Sequence, residues 1–106
     1  MAQTVFSCSI ARHAGDVDIE VIGAMDRSSA GQFRNQLLTL AKEHPAQIAI
    51  HMDDLALIDS SCVAVLVEAW RFMQEHGIEL MVKSPAASIR QVFDVGETGR
   101  LLTLRR

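Results

Sequence analysis

Long apolar runs, clustered basic residues and paired cysteines are all missing from this 106-residue sequence. The longest aliphatic run, Val63 to Val67, falls far short of the ~20 residues that span a bilayer, so no membrane insertion is expected. No basic segment leads into an apolar stretch near the N-terminus, which predicts no signal peptide and a cytoplasmic protein. The ten Lys and Arg are scattered apart from Arg105-Arg106, and the net charge is −3. That leaves no electropositive footprint for nucleic acid. The two cysteines, Cys8 and Cys62, lie outside any Cys-x-x-Cys pattern and are expected to be reduced, small and largely buried. His13, His44, His51 and His76 sit at no metal-ligand spacing and read as surface or filler. The six glycines are dispersed among turns, not gathered in a phosphate loop. No serine lies in a Gly-x-Ser-x-Gly elbow. An enzyme is therefore not expected, nor a metal or cofactor.

What is present is a chain 49% hydrophobic, expected to form a single domain over residues 1–106. A chain of this length buries roughly two-thirds of its unfolded surface, enough for one core. Thr4 to Ile10 reads as a strand, and His13-Ala14-Gly15-Asp16 as a turn into a second strand over Val17 to Ile22, the pair forming a hairpin. Gly23 and Asp26 punctuate the chain before a helix from about Ser28 to Glu43. Ala30, Phe33, Leu37, Leu40 and Ala41 form its apolar stripe, and Pro45 stops it. Gln47 to Met52 is a short buried strand, with Asp53 and Asp54 a solvated acidic rim. A second helix runs from Ser60 to about His76 and ends at Gly77. Ile78 to Lys83 is a strand, Ser84-Pro85 opens a third helix with Ile89, Val92 and Phe93 inward, and Gly96 to Gly99 breaks it. Leu101 to Leu104 is the last strand. The order β-β-α-β-α-β-α-β predicts an α/β fold, a small mixed sheet backed by helices.

The most informative stretch is Met52 to Trp70, where an apolar strand gives way at once to a strongly apolar helix. Only Asp59-Ser60-Ser61 stands between them. Ser60 reads as the helix N-cap, worth about 1 kcal/mol, among free backbone N–H groups at a positive dipole end that tolerates phosphate. Asp26 and Asp59 read equally as dipole partners or as recognition residues, and Ser61 as a secondary, structural hydroxyl. Val63, Leu66, Val67, Trp70 and Met73 make one face of this helix, while Val65, Ala69 and Phe72 widen it. A helix so apolar is deeply buried or faces a partner.

Three short motifs in this order carry a family resemblance. They are Gly23-x-x-Asp26 after the second strand, Asp59-Ser60-Ser61 at the head of the second helix, and Ser84-Pro85 with Val92-Phe93 around the third. With the element order, they resemble the STAS domains, the family of bacterial anti-sigma factor antagonists, over nearly the whole chain. Two departures stand out. Cys62 replaces the usual glycine, and the last strand stands close to the chain end where many relatives carry another helix.

The resemblance implies a protein that binds an anti-sigma factor serine kinase while Ser60 is unphosphorylated, so releasing a sigma factor. The kinase then phosphorylates Ser60, and a metal-dependent serine phosphatase resets it. It implies a partner-binding surface of Asp26, Asp59, Ser60, Ser61, Cys62 and Val63. The alternatives are an adaptor subunit of a lipid-handling ABC transporter, against which Ser60 itself argues, and a structural module of a signalling complex.

Overall fold

The computed structural model describes residues 6–94 and 103–105. Its elements are β1 (Ser7–His13), β2 (Asp16–Met25), α1 (Arg27–Ala41), β3 (Gln47–Ile58), α2 (Ser60–Glu75), β4 (Glu79–Lys83), α3 (Ala87–Asp94) and β5 (Thr103–Arg105). The order is the one expected from the sequence. Thr4, Val5, the Gly96–Gly99 break and Leu101 and Leu102 lie outside the described residues.

The strands form one sheet in the order β1-β2-β3-β4-β5, with β1 antiparallel to β2 and the remaining pairs parallel. The hairpin closes on the His13–Asp16 pair, and Ala14 and Gly15 both take positive φ, 54° and 86°. Two consecutive left-handed residues match the right-handed twist of the strands, and Gly15 adopts that conformation without steric cost.

β2 and β3 are both longer than the alternation predicts. The ladder continues through Ile22↔Asp54, Gly23↔Leu55 and Ala24↔Leu57, with two register shifts on the way. Gly23 is thus a strand residue, not a break, and its φ of 95° is one that a side chain rarely tolerates. Asp53 and Asp54 are exposed as expected, but they belong to β3.

Val17, Ile19, Val21, Ile48, Ile50, Met52, Leu80 and Val82 supply the sheet's share of the core. Phe33, Leu37 and Leu40 of α1, Leu66 and Met73 of α2, and Ile89 and Phe93 of α3 close over it. The third helix starts later than expected. Ser84 takes a φ of 55°, and regular helix begins at Ala87, two residues beyond Pro85.

Candidate functional site

The ends of β2 and β3 lie side by side, with Met25 in register with Ile58. Each strand passes into a helix through one aspartate, and the two junctions are built alike. Asp26 caps α1: its Oδ1 accepts from the backbone N–H of Ser28 at 2.9 Å and of Ser29 at 3.3 Å, and from the Ser28 hydroxyl at 2.6 Å. Asp59 caps α2: its Oδ1 accepts from the N–H of Ser61 at 3.0 Å and of Cys62 at 3.3 Å, and from the Ser61 hydroxyl at 2.5 Å. The Asp59 N–H donates to the Met25 carbonyl at 3.0 Å, tying the junctions together.

This arrangement corrects the expected cap. The N-cap of α2 is Asp59, extended at φ −107° and ψ 175°, and Ser60 is the first helical residue. A carboxylate accepts two N–H groups and a hydroxyl at once, which a serine oxygen in that place would not. Ser60 itself is exposed, and its hydroxyl takes no part in these bonds. Ser61, by contrast, spends its proton on Asp59.

The capping bonds set the local electrostatics. Hydrogen bonding from Ser61 holds the Asp59 carboxyl below the usual carboxylate range, helped by the N–H groups of Cys62 and Ser61. Asp26 is lowered in the same way, first by the Ser28 hydroxyl. Both carboxylates are therefore ionised near neutral pH, and their charge sits where two helix dipoles are positive.

Cys62 does not face outward. It is fully buried, and its thiol lies 3.3 Å from the Asp26 carbonyl, wedged between the two helix starts. Burial pushes the thiol pKa up, and the charge of Asp59 adds to this, so the helix dipole does not make it a thiolate. Val63 is buried as well. Of the expected partner-binding residues, only Asp26, Asp59, Ser60 and Ser61 retain exposed or half-exposed side chains, while Cys62 and Val63 shape the surface from beneath.

The structure also assembles a cluster that no sequence spacing revealed. Asp18 of β2 receives His51 of β3 on Oδ1 at 2.8 Å and His13 of β1 on Oδ2. His13 reaches Asp18 across the hairpin, whereas His51 is distant in the chain and meets Asp18 only through the pairing of β2 with β3. Hydrogen bonding from His51, then from His13, lowers the Asp18 pKa. Among the described residues no group of three or more His, Cys, Asp or Glu is arranged to hold a metal ion. Nor is any helix among them long and apolar enough to cross a membrane.

The chain is similar to known proteins in both sequence and fold. It is 24% identical over 86 residues to the anti-sigma-B factor antagonist of Bacillus subtilis (strain 168), covering 81% of this chain and 78% of that protein. The fold superposes on the anti-sigma factor antagonist SpoIIAA in its unphosphorylated form with a TM-score of 0.80 at 19% identity, covering 92% of this chain and 87% of that one. The Bacillus cell fate determinant SpoIIAA in its phosphorylated form gives 0.72 at 20% identity, covering 94% and 90%. The STAS domain pattern matches residues 8–106, and the chain belongs to the STAS domain family.

Proposed function

We propose that this protein, a single STAS domain over residues 1–106, is an anti-sigma factor antagonist whose binding is switched by phosphorylation of Ser60. The observation that carries the reading is the division of labour at the α2 junction. Asp59 and Ser61 build the cap, and Ser60 is left exposed beside them. Likeness to a relative named as an anti-sigma-B factor antagonist supports the same role. In this reading the protein is a binding module and a substrate, not an enzyme. An anti-sigma factor serine kinase binds it and modifies it, a metal-dependent serine phosphatase resets it, and all three act in the cytoplasm.

A phosphoryl group on Ser60 adds roughly −1.5 to −2 charges. The N–H groups and dipole of α2 stabilise that charge, so the fold stays intact. A partner that covers this surface has to remove water from the phosphate beside two carboxylates, Asp26 and Asp59. Burying uncompensated charge is expensive. Phosphorylation therefore acts on binding, with little change of shape.

The test is phosphorylation by a cognate anti-sigma factor serine kinase, followed by mass spectrometry and binding measurements. Phosphate is expected on Ser60. Ser60→Asp should bind the kinase weakly, and Ser60→Ala should bind and resist release by ATP. Phosphate on Ser61 alone, or equal binding by the two variants, overturns the assignment.

A further inference from the structure

Between α2 and α3 an open groove of about 830 Å3 runs from Ser60 past Val63, Ala64 and Val67 to Arg71, with Val92 across it. These α2 positions recur at helical spacing and form one stripe. Eleven residues at a rise of 1.5 Å place Arg71 about 16 Å from Ser60, close to three turns away. The stripe is apolar until its far end. There Glu68 is held by Arg34 of α1 at 2.7 Å, whereas Arg71 is exposed and has no acidic partner among the described residues.

We propose that this groove receives an amphipathic helix of the partner, with aliphatic side chains along one face and a carboxylate that pairs with Arg71. The inference rests on the binding role given above to the Ser60 surface and specifies what that surface recognises. The groove is walled by helices, which offer side chains and no unpaired strand edge. An extended segment would lose its backbone hydrogen bonds there, while a helix keeps its own. A phosphate on Ser60 would stand at the mouth of the groove, farther from Arg71 than the screening length of about 8 Å at physiological salt. Arg71 could not neutralise it.

Two hydrocarbon-stapled helices of about three turns, sharing a leucine face and differing only by Glu or Lys at the end that meets Arg71, serve as probes. They are titrated into the full-length unphosphorylated protein and followed by NMR of methyl and arginine side-chain signals. The Glu helix is expected to shift the Val63, Val67 and Val92 methyls and the Arg71 Nε–H. It should bind about fivefold more tightly than its Lys twin, the swing from exchanging a repulsive for an attractive exposed pair. Arg71→Ala should erase the preference and Arg71→Glu invert it, with melting temperatures unchanged. Shifts confined to another surface, no binding by either helix, or a preference that survives Arg71→Ala would each overturn the proposal. The kinase experiment separates the two ideas: phosphorylation of Ser60 with an inert groove removes only this inference, and a selective groove without phosphorylation removes only the switch.

Discussion

At the scale of single residues, the two hydroxyls at the head of α2 differ by one position and by their chemistry. The Ser61 proton is held by Asp59, and the Ser60 hydroxyl is exposed to solvent outside those capping bonds. The cap thus rests on Asp59 and Ser61, and the proposed modification falls on a side chain that takes no part in it. Asp59→Ala removes the acceptor for two N–H groups and a hydroxyl and should lower the melting temperature measurably. Ser60→Ala touches none of those bonds and should change stability by less than about 0.5 kcal/mol, the range for surface substitutions. Thermal denaturation of both variants decides it. A Ser60→Ala variant as unstable as Asp59→Ala would restore the serine as the cap. The sequence placed the junction correctly and the cap one residue late, because Asp and Ser are nearly equal capping residues. Only the number of donors waiting at the helix start separates them.

At the scale of elements, helices were easier to read than strands. The stripe of Phe33, Leu37, Leu40 and Ala41 located α1 to within two residues at its C-terminal end. The end of β2 and the outer half of β3 were missed because Gly23, Asp53, Asp54 and Leu57 follow no alternation. Leu57 is 52% exposed, and pairing with β2 alone keeps that stretch in the sheet. The same strand pairing builds the His13–Asp18–His51 contact across β1, β2 and β3. It has a consequence in acid. The folded-state pKa of Asp18 is depressed, so its stabilisation is fully present above the unfolded value of about 3.9. That contribution fades as the pH falls through the folded value. Asp26 and Asp59 carry the same sign. Chemical denaturation from pH 7 down to pH 3 should show stability falling at the acid end, less steeply in Asp18→Asn than in the wild type. Identical slopes would mean that the two imidazoles contribute nothing to Asp18.

For the molecule as a whole, the two thiols report on different depths. Cys8 is half-buried at the edge strand with its sulfur 2.6 Å from the Gln36 side-chain oxygen, and Cys62 is fully buried between two helix starts. Burial raises both thiol pKa values. Labelling with a thiol reagent should therefore reach Cys8 first, and Cys62 at a rate that tracks unfolding of the entire domain. Native labelling of Cys62 as fast as in denaturant would show that the helix starts open independently. Cys62→Gly should cost about 2 kcal/mol. About half comes from the helical penalty of glycine and half from the lost buried sulfur and methylene.

The strand order has a meaning in time as well as in space. Every strand of this sheet pairs with the strand next to it in the chain, so no pairing waits for a distant segment. The hairpin closes the shortest loop, and the pairings of β2 with β3 and of β3 with β4 each wait only for the helix that connects the two strands. The sheet can therefore grow by accretion from the hairpin, one strand and its helix at a time, in the direction in which a ribosome delivers them. By that order the α2 junction forms as soon as β3 has docked on β2. Asp59 is then already fastened to Met25 while α3, the far wall of the groove, has yet to arrive.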